Sequence, residues 1–386
     1  MTEPSPAPRR RSVVAVVRTR PETVLEDVHR VAELAGWEEA LPADAPVILK
    51  DNITWHLPFL SANTTPWQLE GALRFLRAAG REVLAVHNDT VVTNPREGLH
   101  NLKLQPVYDA WEVPQYFVNE PESVRWAAWR PEAPTPWLDR VYPGGLEFPE
   151  LFHGKSVLHL PTVKTHIYTT TTGAVKNAFG GLLNTRRHYC HTWIHGVLAD
   201  LVAVQKELHR GMFAIADGTI AGDGPGPRTM RPVEKNLLIA SADPVAMDAV
   251  AARLMGFDPL GIELFRECAR RGLGAVEEAD IERVGDDVPG GWGFRVGDNL
   301  ASRVGDLLWF GALKGIQALF FRTPLVRIFV TGSHLYHDEW WWRRHGRRRM
   351  ERLRRESAWG RLFETYEPRG PEGGALTSPP RPASAG

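Results

Sequence analysis

The sequence predicts an α/β fold in which helices lie on both faces of a mostly parallel sheet. Between residues 12 and 87, short apolar runs typical of buried strands alternate with segments of helical spacing, and the joins between them are short. Such alternation is typical of parallel sheets covered by helices. The composition, with 43% hydrophobic and 24% charged residues, is that of an ordinary globular protein.

The strands and helices can be assigned in chain order. We predict strands at 12–19, 46–50, 82–87, 116–119, 156–161, 212–216, 236–241 and 281–284. We predict helices at 24–35, 67–79, 174–183, 191–209, 245–255 and 260–271. The helix at 67–79 illustrates the criteria, because Pro66 opens it and Gly80 follows its end. Residues 217–227 are rich in glycine and proline and are predicted to form a loop.

These elements suggest four regions in the 386-residue chain. We predict a disordered leader at 1–11, an α/β domain at 12–300, an apolar and basic helical appendage at 301–366, and a disordered tail at 367–386. Within the main domain, residues 92–150 are rich in Pro and Trp and are predicted to form an irregular insertion.

Charge and cysteine content narrow the function classes. Lys plus Arg and Asp plus Glu both number 46, so no overall field favours nucleic acid as a partner. The two cysteines, Cys190 and Cys268, are too few for an iron–sulfur cluster supplied by this chain alone. They fit a reducing compartment, and we expect a cytoplasmic protein. No window of about 18 residues is both apolar and free of charge, so a simple transmembrane helix is not predicted.

The stretch at 161–184 is the leading candidate for a binding site. A predicted strand ends just before Lys164 and His166, and four threonines and Gly173 follow before a predicted helix. A strand, a loop of small residues and a helix N-terminus together favour an anion, because the first helical N–H groups lack partners. We therefore predict a phosphate or carboxylate ligand, contacted by Thr172 and Gly173, with Lys164 and His166 as candidate catalytic residues.

Further candidates flank this stretch. Lys50 and Asn52 follow a predicted strand, at the edge of the sheet where α/β proteins bind ligands. Lys176 and Asn177 lie in the first turn of the predicted helix, where a lysine opposes the helix dipole unless an anion is present. For each pair, a solvated turn or a lysine pointing into solvent is the alternative.

Acidic and glycine residues supply weaker candidates. Asp217 and Gly224, in the predicted 217–227 loop, are assigned to ligand binding, with a plain connecting turn as the alternative. Asp248 is assigned to the same site, although one turn into its helix it would also complement the helix dipole.

Three histidines, His188, His191 and His195, could suggest zinc. His191 and His195 are four residues apart, but no glutamate follows His191 in the usual metalloprotease pattern. A polar helix face is therefore the preferred interpretation, and no metal site is predicted.

The C-terminal region permits two interpretations. Residues 307–330 are strongly apolar, Trp340, Trp341 and Trp342 follow, and eight arginines lie between 343 and 355. An apolar body, an aromatic belt and a basic flank are typical of a segment that lies on a membrane surface. The alternative is a set of ordinary helices packed on the domain. Residues 307–355 are thus a candidate contact for a membrane surface or a redox protein.

Several short pieces resemble one known family. They are Leu-Lys-Asp-Asn at 49–52, Lys-Thr-His at 164–166, Lys-Asn-Ala-Phe-Gly at 176–180, Asp-Gly at 217–218, Gly-Asp-Gly-Pro at 222–225 and Asp-Pro-Val-Ala-Met-Asp-Ala at 243–249. In order and combination they resemble the domain-of-unknown-function-362 family. The resemblance implies an α/β fold and little defined chemistry. Many members carry a ferredoxin-type cluster module, from which this sequence departs because it has no Cys-x-x-Cys.

Two functional hypotheses follow. The first is a protein that binds an anionic small molecule and transforms it, with the lysines holding the anion and His166 exchanging a proton. The second is a non-catalytic accessory protein that docks through its C-terminal segment. The sequence specifies neither a substrate nor a cofactor.

Overall fold

One large sheet runs through the protein. The computed structural model describes residues 11–89, 92–311, 314–316, 323 and 325–371. Within them the strands are β1 (Ser12–Arg18), β2 (Val47–Asp51), β3 (Val83–His87), β4 (Gln115–Phe117), β5 (Trp126–Ala128), β6 (Glu147–Pro149), β7 (Ser156–Leu160), β8 (Thr162–His166), β9 (Thr170–Thr171), β10 (Met212–Asp223), β11 (Arg231–Glu234), β12 (Leu237–Ser241) and β13 (Ile281–Gly285). Eleven of these described strands form one sheet, and β5 and β6 pair separately.

The main path through the sheet has the order β13-β1-β12-β10-β7-β2-β3-β4. Neighbours along this path are parallel except at β12, which runs antiparallel to both β1 and β10. The chain leaves β2 toward β3 on one side and leaves β7 toward β10 on the other. The carboxyl ends of β2 and β7 therefore border a topological switch point, the usual ligand position in such sheets.

Helices cover both faces, as predicted for an α/β fold. They are α1 (Val24–Leu34), α2 (Trp37–Ala40), α3 (Pro66–Ala78), α4 (Pro95–Asn101), α5 (Leu104–Ala110), α6 (Pro136–Val141), α7 (Gly173–Asn177), α8 (Phe179–Leu182), α9 (Ile194–Leu208), α10 (Pro244–Met255), α11 (Glu263–Arg270), α12 (Leu300–Trp309), α13 (Val326–His334), α14 (Arg347–Glu356) and α15 (Ala358–Thr365). A π-helical stretch, Leu335–Gly346, joins α13 to α14.

The core is divided by the sheet into two clusters. Because side chains alternate along a strand, Val14 and Val16 pack on the face covered by α9 and α10, whereas Ala15 and Val17 pack on the face covered by α1 and α3. Local sequence helps to define the helices: the Thr65 hydroxyl accepts a hydrogen bond from the Gln68 amide at the start of α3.

Two predicted elements were wrong in their extent. The strand predicted at 212–216 continues as β10 to Asp223, through the stretch predicted as a loop, because Ile220–Asp223 pairs with β11. Its glycines serve close packing, since a Cβ at Gly222 would lie 2.5 Å from the Met230 sulfur. The helix predicted at 174–183 is interrupted, because Gly180 has non-helical backbone angles within the second of two short helices, α7 and α8.

Two other predicted boundaries differ from those in the structure. Lys164 and His166 lie within β8 rather than beyond a strand end, because residues 162–166 resume extended structure beside β10. The helix predicted at 191–209 begins at Ile194, and residues 185–193 form a 3₁₀ turn before it. Residues 92–150 contain α4, α5, α6 and the small β5–β6 sheet.

The C-terminal helices pack on the α3 face of the sheet. Trp341 is buried 5.9 Å from the Trp55 ring and 5.7 Å from the Phe59 ring. Trp359 is buried 5.4 Å from the Trp67 ring, and its indole N–H donates to Asn236 at 2.6 Å. This part of the appendage thus forms packed helices. Within the described ranges, no helix has both the length and the apolar character needed to cross a bilayer.

The buried Trp359 provides a test of this packing. Replacing Trp359 with Ala should lower the free energy of unfolding by about 3–5 kcal/mol, because a large cavity would form beside Trp67. Replacing Trp340, which is 42% exposed, with Ala is the matched control and should cost about 0.5 kcal/mol or less. Urea unfolding of both variants measures the difference. Equal effects would show that the C-terminal helices do not share the core.

Candidate functional site

A cavity of about 810 Å³ opens at the carboxyl end of the sheet. Its walls include Lys50, Asp51 and Asn52 from the end of β2, and His166 from the end of β8. The cavity adjoins the switch point between β2 and β7, where the strand ends leave a crevice. Its volume is within the range of pockets that hold small-molecule ligands.

Lys164 is buried beneath this cavity and organises the polar residues beside it. Its ammonium donates to Asn52 Oδ1 at 2.5 Å, to Thr54 Oγ1 at 2.9 Å and to the Ala62 carbonyl. Burial lowers the pKa of Lys164 well below its usual value, with Lys176 adding repulsion. The three oxygen acceptors oppose this shift by favouring the protonated amine. All three N–H groups are thereby used within the protein.

The network continues from Asn52 across the strand ends. Asn52 Nδ2 donates to Asn177 Oδ1 at 3.1 Å, and Asn177 Nδ2 donates to the Lys50 carbonyl at 2.8 Å. Three segments distant in sequence are therefore tied together at one edge of the sheet. Such a connected network fixes side-chain positions, because each amide has defined donors and acceptors.

Asp51 forms a second buried group. His87 Nδ1 lies 3.0 Å from its carboxylate, the Tyr108 hydroxyl donates to it at 3.0 Å, and Lys50 Nζ lies 3.6 Å away. Burial would raise the pKa of Asp51, but His87 and then Lys50 and Tyr108 hold it below its usual value. Asp51 therefore remains ionised and neutralises Lys50.

The cavity retains an excess of positive charge. Its described walls include four cationic side chains, Lys50, Lys176, Arg187 and Arg228, and two carboxylates, Asp51 and Asp89. The formal sum is 4 − 2 = +2, with histidines taken as neutral.

Lys176 contributes most clearly to this excess. It lies 5.7 Å from the Phe179 ring centroid, and within the described part of the chain its ammonium has no hydrogen bond or ion pair. Burial, reinforced by Arg187, lowers the pKa of Lys176 to about 8. At neutral pH the amine is therefore mostly charged and available to a ligand.

Two arginines add to the positive end of the cavity. The Arg187 guanidinium is buried and donates to the Asp89 backbone carbonyl at 2.6 Å. Arg228 donates to the Ser333 hydroxyl at 3.0 Å, while its buried Nη1 has no partner among the described residues. Burial lowers the pKa of each arginine to about 10, so both remain cationic.

Burial favours the neutral form of two histidines near the cavity, His166 and His191. Burial lowers the pKa of His166 well below its usual value, with Lys176 adding repulsion. Its Nδ1 accepts from the Tyr168 amide at 3.1 Å, which assigns the proton to Nε2. Burial lowers the pKa of His191 to about 4, and its ring stacks on Trp309 at 4.5 Å. The described residues contain no group of three or more His, Cys, Asp or Glu side chains suited to a metal ion.

Comparison with known proteins gives the family. The family model of a domain of unknown function, DUF362, matches residues 47–253. The chain belongs to the DUF362 family. The match contains every site residue predicted from the sequence, and the resemblance noted above is thereby confirmed.

One relative is the thylakoid-associated protein sll1697 of Synechocystis sp. (strain ATCC 27184 / PCC 6803 / Kazusa). It is 34% identical over 122 residues, which are 30% of this chain and 37% of the relative. The chain thus matches little more than a third of that protein's length. No solved structure matches this DUF362 chain.

The cavity brings together about half of the predicted site residues. Those that line it are Lys50, Asn52, His166, Lys176 and Asn177. Lys164 supports Asn52 from below through its hydrogen bonds. The remaining predicted site residues do not line the cavity.

Asp217, Gly224 and Asp248 are engaged within the protein. The Asp217 carboxylate accepts from the Thr65 hydroxyl at 2.5 Å and from the Trp67 indole at 3.1 Å, and the Gly224 carbonyl accepts from the Thr165 hydroxyl at 2.6 Å.

Asp248 instead caps α7 from a neighbouring helix. Its two oxygens accept from the amides of Ala174 and Val175 at 2.8 and 2.9 Å. Gly173 allows this approach, because a Cβ there would lie 2.2 Å from the carboxylate, and its φ is +67°. The preceding Thr172 has a buried hydroxyl without a hydrogen-bond partner in the described chain. The loop amides are thus already occupied by a protein carboxylate.

Three charged residues of the cavity wall, Asp51, Arg187 and Arg228, were not predicted from the sequence. Asp51 lies between two predicted site residues, and its position at a strand end was a usable signal. Arg187 lies in the 3₁₀ turn at 185–193 and Arg228 in a turn after β10. Tertiary packing decides the direction of both segments, and no local pattern distinguishes the two arginines.

Asp248 generates a pH-dependent prediction. Burial raises the pKa of Asp248 to about 7, above its ordinary value near 4 in an unfolded chain. The folded state therefore binds the proton more tightly, and its stability falls as the pH rises from about 4 to about 7. Between pH 5 and pH 8, the wild type should lose on the order of 2 kcal/mol relative to Asp248→Asn.

Urea unfolding at the two pH values measures this difference. Asp258→Asn is the matched control, because Asp258 also caps a helical turn but is exposed, and it should show no such pH-dependent change. The prediction would be contradicted if the difference in free energy of unfolding between the wild type and Asp248→Asn were the same at pH 8 as at pH 5.

Proposed function

We propose that this DUF362 protein binds an anionic small molecule, a phosphate or carboxylate, in the cavity at the carboxyl end of its sheet. The observation that supports this most directly is the excess of cations in the walls, with Lys176 lacking a carboxylate partner among the described residues. A partly buried ammonium without a counter-charge is costly, and an anionic ligand would offset that cost.

The surrounding polar network favours a defined ligand position. Lys164, Asn52 and Asn177 form a connected set of hydrogen bonds beneath the cavity, so the groups beside the anion need little reorganisation. Lys164 has no N–H left for the ligand, so its role is to position Asn52. Lys50 is neutralised by Asp51, which leaves Lys176, Arg187 and Arg228 as the principal anion contacts.

His166 is suited to donate a hydrogen bond from Nε2 to the bound anion. Its lowered pKa keeps the ring neutral, so it would supply a proton donor without adding charge. This geometry supports binding more directly than it supports any particular reaction.

Thermal unfolding with a panel of phosphorylated and carboxylated compounds tests the anion site. A ligand present at 100 times its Kd should stabilise the wild type by about 2.7 kcal/mol. The gain should largely vanish in Lys176→Met, because the principal unpaired ammonium is lost.

Lys206→Met is the matched control, since Lys206 is exposed near the end of α9 and does not line the cavity. This control should respond to the panel as the wild type does. A stabilisation that persists unchanged in Lys176→Met would show that the anion binds elsewhere. A well-folded protein that responds to no member of the panel would contradict the proposal.

A second candidate function, peripheral association with a membrane surface, is favoured by a separate observation. Nine large apolar side chains are exposed among the described residues, and seven of them lie between 307 and 340. Leu325, Ile328 and Leu335 share one side of the helical segment at α13, because they are three and seven residues apart. The name of the Synechocystis relative, a thylakoid-associated protein, is consistent with this proposal.

The basic flank contributes less than its sequence suggests. Arg343, Arg347 and Arg352 each lie within 4 Å of a glutamate one helical turn away. Apolar contact with the bilayer should therefore dominate, and added salt should weaken binding only moderately.

Flotation with vesicles of phosphatidylcholine and phosphatidylglycerol tests the membrane proposal. The double variant Leu325→Gln with Leu335→Gln should bind about tenfold less than the wild type, because two apolar side chains no longer enter the bilayer. Leu34→Gln with Leu260→Gln removes exposed leucines elsewhere and should bind normally. Wild-type protein that remains entirely in the vesicle-free fraction would rule out this function.

A further inference from the structure

We infer that the ligand of this cavity is an amphiphile, with an anionic head at the lysine and arginine residues and an apolar chain along the apolar side chains of the C-terminal helices. The inference rests on the proposed anion site and adds the chemical class of its ligand. It depends on side chains that the anion proposal does not use.

A second part of the cavity wall is largely apolar and aromatic. It is formed mostly by α12 and α13, whose Leu308, Val326 and Val330 line the same cavity as Lys176. An inorganic anion or a small polar metabolite would leave this wall in contact with water. An alkyl or prenyl chain would instead remove apolar surface from water.

Trp309 connects the two parts of the cavity. Its indole stacks on His191 at 4.5 Å and meets the Tyr168 ring edge-on at 5.2 Å. The cavity therefore combines cationic side chains with an aromatic and apolar surface. An amphipathic molecule matches this combination, because its head and its chain each find a suitable partner.

The apolar wall also extends to the protein surface. Ile328 lines the cavity although its side chain is 64% exposed, so a chain lying against it has a route to the outside. Arg187, by contrast, is buried, so an anionic head held there would lie deeper than a chain placed against Ile328.

The two parts of the site have different origins in the chain. The lysine and arginine residues at the polar end lie within residues 47–253, which match the DUF362 model, whereas α12 and α13 lie outside that match. The family region thus supplies the anion contacts, and the C-terminal segment adds the apolar wall. The simplest role for an apolar wall beside an anion site is to contact an apolar part of the ligand.

Isothermal titration with inorganic phosphate, butyl phosphate and octyl phosphate, below micelle-forming concentrations, tests the inference. Each buried methylene should increase affinity about fourfold, so octyl phosphate should bind about a hundredfold or more tightly than butyl phosphate. Octyltrimethylammonium has the same chain with the opposite charge and should not bind.

Substitutions separate the chain contact from the anion contact. Val326→Asn with Val330→Asn should lose most of the gain with chain length while retaining the affinity for inorganic phosphate. Leu325→Asn changes a neighbouring exposed residue that does not line the cavity, and it should retain the gain.

The outcomes distinguish the two proposals. Phosphate binding that does not strengthen with chain length would overturn the amphiphile and leave the anion site intact. Octyltrimethylammonium binding as tightly as octyl phosphate would overturn the anion site. A folded protein that binds none of these compounds would overturn both.

Discussion

A buried lysine holds the site together. Lys164 lies in the sheet with almost no exposure, and its ammonium is satisfied by oxygens of Asn52, Thr54 and Ala62. A buried cation is tolerated only when such acceptors are present, so the segment after β2 must fold against β8. That requirement fixes Asn52, which in turn fixes Asn177 and the short helix bearing Lys176. The cavity walls thus depend on one ammonium whose hydrogen bonds are all made within the protein.

Two other features of the site are also satisfied within the protein. Asp51 neutralises Lys50, and Asp248 occupies the free amides of α7, so two features that suggest anion binding in sequence are already satisfied within the protein. The remaining positive charge lies on Lys176, Arg187 and Arg228. Because the other candidate groups are already paired within the protein, the proposed anion has fewer groups available to contact than the composition of the cavity implies.

The fold class was predictable because strand and helix periodicities are local. The α/β order, and the positions of Lys50, Asn52 and His166 near one sheet edge, follow from polar residues at or near strand ends. Lys176 and Asn177 were instead predicted from the start of a helix, and in the structure they lie in the last turn of α7. The continuation of β10 to Asp223 was not predictable, because pairing with β11 and packing against Met230 decide it. Arg187 and Arg228 were missed for the same reason, since tertiary contacts orient the 3₁₀ turn and the loop turn that contain them.

The division of the cavity between two parts of the chain has an evolutionary consequence. Substitutions in α12 and α13 can alter the shape of the apolar wall without disturbing Lys164 or the hydrogen bonds beside it. On the proposed function, selectivity among ligands with different chains can therefore diverge while the anion contacts stay fixed. On the same proposal, DUF362 proteins with similar central regions and different C-terminal segments are expected to select different molecules.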